Sequence, residues 1–330
     1  MPVRRRSTRE ELSDELALAL ELKAMARERS KGLEAVRAAA ADFAALPRFD
    51  TPEAFDLIVR WTRARLSYAK KRRVVLGVSG GVDSSLTACV LKEAAPRGVV
   101  AFVLPCGSAP EDEADARALC QALGVPVERL DLEPAYRALK GLLSPAKGHG
   151  TADGNLKTRL RTLALFHEAA ARDALYVGTG DLDEGFVGYY TKGSGSDLAP
   201  LGSLHKREVR ALLRYALGRY DARLAARLSK KPADAGLVPG RTAEADLGVS
   251  YDAIERALEV IFESCAVYEG GLVPREVDEF ARVLKASGVR LADFRRVADL
   301  IYFARHKSTG APTLWRPDTT RLSGADFESE

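Results

Sequence analysis

The stretch Gly77-Val78-Ser79-Gly80-Gly81-Val82-Asp83-Ser84 gathers the groups that phosphate chemistry needs. Gly80 and Gly81 leave out Cβ atoms where a phosphate has to approach the backbone. The amides of a helix N-terminus beyond them face the anion, aided by the helix dipole. Ser79, Ser84 and Ser85 add hydroxyl donors. Asp83 offers a hard oxygen ligand of the kind Mg²⁺ takes alongside phosphate oxygens. The loop lacks the Lys that reaches the β- and γ-phosphates in a Walker A motif. Taken without its flanks, it would read as an ordinary Gly/Ser turn ahead of a helix.

Those flanks are the elements that must position it. Val74-Val75-Leu76 is a short apolar strand before the loop, and Leu86 to Leu91 is the apolar face of a helix after it. Val99 to Leu104 reads as a buried strand, Glu111 to Leu123 as a helix and Val125 to Leu130 as a strand. A helix follows at Pro134 to Leu143, then a polar Gly-rich loop from Lys147 to Gly154. Leu156 to Arg172 reads as a helix and Ala174 to Gly178 as a strand. Such alternation predicts an α/β fold, a parallel sheet covered by helices on both faces. Ligands of such sheets bind beyond the carboxyl ends of the strands, where both the glycine loop and Val177-Gly178-Thr179-Gly180 lie. Lys192 to Pro200 is Gly/Ser-rich and expected to be mobile, and 204–228 and 250–306 read as helical. Residues 8–44 are rich in Ala, Leu, Glu and Arg, with a capping box at Thr8 to Glu11 and a break into two helices expected at Gly32. Pro47 ends that run, and Thr51-Pro52-Glu53 starts a helix that reaches about Tyr68. The expected organisation is an N-terminal helical extension, 1–50, ahead of one catalytic domain, 51–330.

Composition narrows the partners. Net charge is +4, from 50 basic and 46 acidic residues, too even to argue for nucleic acid. The runs Arg4-Arg5-Arg6 and Lys70-Lys71-Arg72-Arg73 read as solvated. The four cysteines, at 89, 106, 120 and 265, include no Cys-x-x-Cys pair, so neither a zinc site nor a redox pair is indicated. The sequence has no run apolar enough for a membrane span and no secretory h-region, and a reducing cytoplasm is expected.

The Ser-Gly-Gly-x-Asp-Ser loop resembles that of the N-type ATP pyrophosphatases, the PP-loop superfamily, which cut ATP between the α- and β-phosphates and adenylylate a substrate. Three further stretches narrow the likeness: Gly154-Asn155-Leu156-Lys157-Thr158-Arg159-Leu160-Arg161, Gly178-Thr179-Gly180-Asp181-Leu182-Asp183-Glu184 with its continuation to Lys192, and Pro239 to Tyr251. In this order and spacing, over roughly 52–310, the chain resembles ammonia-dependent NAD synthetase. The resemblance implies an adenine nucleotide alpha hydrolase-like fold and amidation of deamido-NAD by ammonia through an acyl-adenylate. It implies ATP contacts along Gly77, Val78, Ser79, Gly80, Gly81, Val82, Asp83 and Ser84, and at Thr179 and Lys206. It also implies Mg²⁺ ligation by Asp83 and Glu184, and contacts to the dinucleotide substrate from Arg159, Lys192, Asp197, His306 and Lys307. Taken alone, Glu184 and Lys206 read as solvated residues and His306-Lys307 as a C-terminal capping pair. The resemblance further implies a homodimer and no covalent nucleophile.

The chain departs from the family pattern in places. Lys192-Gly193-Ser194-Gly195-Ser196-Asp197 is shorter than the usual loop and lacks its inner Asp. Pro110-Glu111-Asp112-Glu113 stands where a Gln is usual, Ala233 where a Thr is, and Arg241 where a Gln is. Two other readings stay open at this point: a tRNA- or sulfur-transferring PP-loop enzyme, and a non-catalytic nucleotide-binding paralogue. No glutaminase domain fits in 330 residues beside the synthetase core.

Overall fold

The structure, a computed structural model, describes residues 8–144, 151–234, 241–268 and 271–308. Its centre is a parallel sheet of β1 (Arg73–Gly77), β2 (Val99–Val103), β3 (Val127–Arg129) and β4 (Ala174–Val177), in the order β3-β2-β1-β4. Val74 of β1 pairs in register with Val99 of β2 and Leu175 of β4. The pleat sends Val74 and Leu76 into one core and Val75 into the other, which is why β1 carries no polar residue between its ends. Strand order reverses beside β1: β2 and β3 lie on one side and β4 on the other. The crevice at such a reversal is where open α/β sheets take their ligands.

Helix α1 (Thr8–Ala44) packs along α2 (Pro52–Tyr68). The expected break at Gly32 does not occur. A glycine in a helix interior costs only about 1 kcal/mol relative to Ala. This one lies against α2, where a Cβ would come within 3.2 Å of the Tyr68 ring. The side chains of the Thr8–Glu11 capping box lie outside the described residues. Thr51 caps α2 as expected, its hydroxyl accepting the Ala54 amide at 3.2 Å with Pro52 in the first turn. Then come α3 (Val82–Ala94), α4 (Pro110–Leu123), α5 (Glu133–Leu142) and α6 (Thr151–Ala171). α2, α3 and α4 share one core with Val74, Leu76 and Ala101, while α5 and α6 cover the other face through Tyr136, Leu160 and Leu165.

α6 starts at Thr151, ahead of the predicted Leu156, so Gly154 and Asn155 are helical rather than in a loop. Lys140 of α5 holds Asp153 in this first turn at 2.6 Å, and the Thr158 hydroxyl donates to the Gly154 carbonyl. The first part of the predicted Gly-rich loop, 145–150, lies outside the described residues.

The C-terminal half differs more. Short helix α7 (Leu182–Val187) follows β4, and α8 (Lys206–Gly218) and α9 (Ala222–Lys230) return to the α3 face of the sheet. α10 (Ala243–Leu247), α11 (Tyr251–Ser264), α12 (Val277–Ser287) and α13 (Leu291–Ser308) form a separate apolar cluster with α7 around Ile254, Leu258 and Val297. The stretch 250–306, expected to be helical, is interrupted by an antiparallel pair, β5 (Cys265–Tyr268) with β6 (Gly271–Pro274). α11 stops where the Ser264 hydroxyl turns back to the Val260 carbonyl, and Val267 and Val273 favour the extended form beyond it. Gly188, at φ +67°, ends α7; a Cβ there would meet the Ala304 Cβ at 2.1 Å, so α13 seats directly on this glycine.

Residues 192–200, expected to be mobile, are tied along the outer edge of β4. The Tyr176 and Asp197 backbones pair at 2.9 Å, and the Gly178 amide donates to Leu198 at 2.8 Å. The Tyr176 amide also donates to Asp197 Oδ2 at 2.8 Å, and Ser194 and Ser196 hydroxyls bond the local carbonyls of Thr191 and Leu198. Among the described residues, no helix is long and apolar enough to cross a membrane.

Candidate active site

Gly80 takes φ +76°, a backbone form that only glycine adopts freely. A Cβ at this position would come within 2.4 Å of the Asp112 carbonyl oxygen, so α4 packs directly under the turn. The serines shape the loop from inside. Ser79 Oγ accepts the Gly81 amide, while Ser84 and Ser85 hydroxyls both donate to the Gly81 carbonyl, at 3.2 and 2.7 Å. Gly81 is the N-cap of α3 and no side chain caps that terminus. The first turn of a helix carries amides with no intrahelical acceptor, and here they face outward beside Asp83 at the strand-order reversal.

The loop is also braced from behind. Lys231, just after α9, places Nζ 3.3 Å from the Gly80 carbonyl, 2.7 Å from Asp112 and 2.8 Å from Asp115. Arg227 pairs with Asp115 as well. The acidic stretch after Pro110, which departs from the family pattern, therefore supplies Asp112 to this brace.

Opposite the loop, the end of β4 and the first turns of α7 and α8 bring one cation and two carboxylates up to Asp83 of α3. Lys206 Nζ lies 2.7 Å from Asp83 Oδ1, 2.8 Å from Asp181 Oδ2 and 3.1 Å from Glu184 Oε1. Lys206 and Asp181 are buried, whereas Asp83 and Glu184 keep about a fifth of their side chains exposed, at 20% and 21%. The Tyr251 ring lies 5.0 Å from the same ammonium, and its buried hydroxyl has no hydrogen-bond partner among the described residues. Burial alone would lower the Lys206 pKa, but Asp83, Glu184 and Asp181 together hold it well above the usual lysine value. Burial, then the neighbouring Glu184, pushes Asp181 well above the carboxylate range against the pull of Lys206. Burial likewise raises Glu184. One ammonium cannot offset three carboxylates.

That surplus bears on whether a metal fits. Asp181 Oδ2 is buried beside the ammonium without a well-aligned hydrogen bond, and the two exposed carboxylates face the loop side. Among the described residues no group of three or more His, Cys, Asp or Glu side chains builds a protein-only metal cage. Mg²⁺ does not require one, since it takes one or two carboxylates and completes its shell with phosphate oxygens and water. Asp83 and Glu184 are such a pair.

The other expected residues are spread along one rim. Thr179 lies at the end of β4 and is half-buried. Arg159 of α6 donates through Nε to the Lys192 carbonyl at 3.1 Å, and the Thr191 hydroxyl bonds Asn155 at 2.6 Å. Asp197 is exposed, and its Oδ2 accepts the Tyr176 amide at the edge of β4. Lys307 reaches the backbone carbonyls of Gly188 and Tyr190, at 2.8 and 3.1 Å. His306 lies on α13, with its side chain outside the described residues, as are Pro239 and Gly240. Arg241 pairs with Asp246 at 2.5 Å, and Asp246 also accepts the Tyr189 hydroxyl at 2.8 Å. Ala233 packs partly buried against the C-terminal cluster.

Sequence reasoning missed Asp181, Tyr251, Lys231 and the pair Asp183–His205. Asp181 had a readable signal, an Asp three residues ahead of Glu184, and its Oδ1 does cap α7 by accepting the Glu184 amide at 2.8 Å. The others are brought in from distant elements and left no local pattern.

The sequence profile described as NAD synthase matches residues 55–309. The NH(3)-dependent NAD(+) synthetase of Syntrophomonas wolfei is 37% identical over 215 residues, which is 63% of this chain and 84% of that protein. The protein of the same description from Methanocaldococcus jannaschii is 31% identical over 267 residues, 79% of this chain and 96% of its own. In fold, the chain is similar to the structure of NMN synthetase from Francisella tularensis, with a TM-score of 0.66 at 24% identity over 80% of this chain and 98% of the other. The fold is thus of the PP-loop, adenine nucleotide alpha hydrolase-like type, with an N-terminal helical extension.

Proposed function

The chain belongs to the NAD synthase family, and on that premise we propose that it amidates deamido-NAD with ammonia, consuming ATP and releasing AMP and pyrophosphate. It is an enzyme of the NAD-synthetase type, a carbon–nitrogen ligase that adenylates a carboxylate and then amidates it. The observation that carries the finer reading is the convergence of Asp83 and Glu184 on Lys206 beside the uncapped N-terminus of α3.

In this reading a carboxylate oxygen of the nicotinate attacks the α-phosphorus. The bond to the bridging oxygen breaks, and pyrophosphate departs into the loop of residues 77–84. Ammonia then attacks the acyl carbon through its nitrogen, AMP leaves with the former carboxylate oxygen, and the nitrogen gives up its surplus proton. The loop amides with Ser79 and Ser84 receive pyrophosphate, and Thr179 and Lys206 contact ATP. Asp83 and Glu184 hold Mg²⁺, which when bound neutralises charge on the transferring phosphates. Arg159, Lys192 and His306 serve the dinucleotide. Lys307 and Asp197, given the same role by the family likeness, serve it by fixing the 188–198 segment. Nearly all the catalysis is positioning and charge neutralisation.

Purified protein supplied with deamido-NAD, ATP, Mg²⁺ and ammonium is expected to form NAD with one AMP and one pyrophosphate each. Glutamine is not expected to replace ammonium. The nicotinate mononucleotide, tried in the same assay, separates the dinucleotide substrate from the mononucleotide chemistry named for the Francisella tularensis protein. No NAD formation with ammonium, or robust formation from glutamine, would overturn the reading.

Residues 51–330 are read as the synthetase domain and 1–50 as an addition to it. The four free, buried thiols suit a cytoplasmic site of action. We extend the reading to a homodimer, supported by an apolar face on α5 and α6 where Leu142 is 83% and Leu163 67% exposed. Light scattering is expected to give twice the chain mass. A fully active monomer would sink the dimer.

A further inference from the structure

Asp183 sits in sequence between Asp181, the N-cap of α7, and Glu184, yet its two oxygens are taken by His205 and the Lys206 amide. It is wholly buried. Oδ2 accepts the backbone amide of Lys206 at 2.8 Å, and Oδ1 lies 2.7 Å from Nδ1 of His205. The amides on either side are held in the same way. That of His205 donates to Glu208 at 2.8 Å, and that of Arg207 to Glu255 of α11 at 2.9 Å. All three carboxylates are buried. The start of α8 is therefore fixed by protein carboxylates from α7, α8 and α11, and only the Lys206 side chain projects from it into the cluster with Asp83.

The geometry points to Asp183 and His205 as a positioning pair for Lys206, a clamp that sets the distance between the carboxylates of α7 and the ammonium of α8. A lysine side chain has four rotatable carbons and about 2 kcal/mol of rotamer entropy, so its reach alone does not fix Nζ. The clamp fixes its root. Asp183 adjoins Glu184, and His205 adjoins Lys206, so one buried hydrogen-bonded pair ties both halves of the cluster to each other. The inference rests on the reading of Lys206 as the cation that faces the phosphates.

The test compares Asp183→Ala, Asp183→Asn, His205→Leu and His205→Asn, each in the wild type and in a Lys206→Gln background, with the folded fraction of every variant measured. Displacing a catalytic group by about 1 Å costs on the order of a hundredfold, and Asp183→Ala is expected to lower kcat by roughly that factor, with a smaller change in KM. Asp183→Asn keeps an acceptor for the Lys206 amide, and His205→Asn keeps a donor at the Nδ1 position. Both are expected to recover most of the rate that Asp183→Ala and His205→Leu lose. In the Lys206→Gln background none of the four is expected to lower kcat further. Hydrogen exchange at the Lys206 amide is expected to speed up in Asp183→Ala and His205→Leu, a readout that needs no turnover. The clamp is overturned if Asp183→Ala and His205→Leu leave kcat within about threefold of wild type, or lower it by equal factors in both backgrounds. If Asp183→Ala does not fold, the His205 pair decides by the same criteria. Wild-type protein that forms no NAD would remove the reaction reading instead. The clamp is then judged by exchange alone, and unchanged exchange at Lys206 overturns it.

Discussion

Asp83→Asn and Glu184→Gln should each drop turnover below about a tenth of the wild-type rate at saturating Mg²⁺, since a lost metal ligand removes several kcal/mol of charge stabilisation. The same substitutions should leave the protein as stable as before, or more so. Both acids sit with Asp181 around a single ammonium. Glu184 has its pKa raised by burial, so its charged form is held at a cost to the fold. Making either residue neutral relieves that repulsion. Thermal unfolding measured beside the rate tells ligand loss from misfolding. A variant that keeps more than a tenth of the rate loses its place as a ligand, and one that loses both rate and melting temperature was a core residue.

Lys206→Gln should lower both turnover and stability. Removing a charge-assisted donor aimed at developing charge costs on the order of 10²–10³ in kcat. Breaking a buried ion pair from one side costs about 3–5 kcal/mol, because the partner charges are left uncompensated. The pH dependence follows from the shifts. The folded pKa of Lys206 lies above its ordinary value, so its contribution is complete throughout the neutral range and is lost only as pH rises through that higher value. Asp181 and Glu184 are acids with raised folded pKa values, which bind protons more tightly in the folded state. Their charged forms weaken the fold as pH rises through those values. The deficit in melting temperature relative to wild type should therefore be largest where both acids are charged and Lys206 still carries its proton, and shrink as acidification protonates the two carboxylates. A deficit that grows on acidification would mean that Lys206 is not the counter-charge of this cluster.

The central sheet was legible because β1, β2 and β4 are apolar on both faces, and Val74-Val75-Leu76 allows almost no other reading. The glycine loop was legible for a similar reason, since Gly80 must take a positive φ under α4 and the serines bond within six residues of one another. What escaped depends on tertiary contact. Gly32 reads as a break until Tyr68 is seen beside it. The antiparallel pair at 265–274 sits between strongly helical stretches, and its strands are four residues each. Asp197 is read as a substrate residue from the family likeness, and the bond its Oδ2 accepts from a backbone amide 21 residues away has no local spacing to announce it. Asp183 and His205 are 22 residues apart, and no local spacing announces them.

The tying of residues 197–198 along β4 also bears on solubility. β4 is the last strand of its sheet, and a terminal strand offers its open amides and carbonyls as a template for a neighbouring molecule. Here the Tyr176 amide is taken by the Asp197 carboxylate, the Tyr176 carbonyl by the Asp197 amide, and Val177 forms an isolated parallel bridge with Leu198. The short Gly193–Ser196 loop delivers a segment alongside β4 that begins with a partly buried charge-assisted bond rather than an apolar side chain. It takes up the outward backbone groups of Tyr176 and Gly178, so these are not open to intermolecular strand pairing on this flank of the sheet.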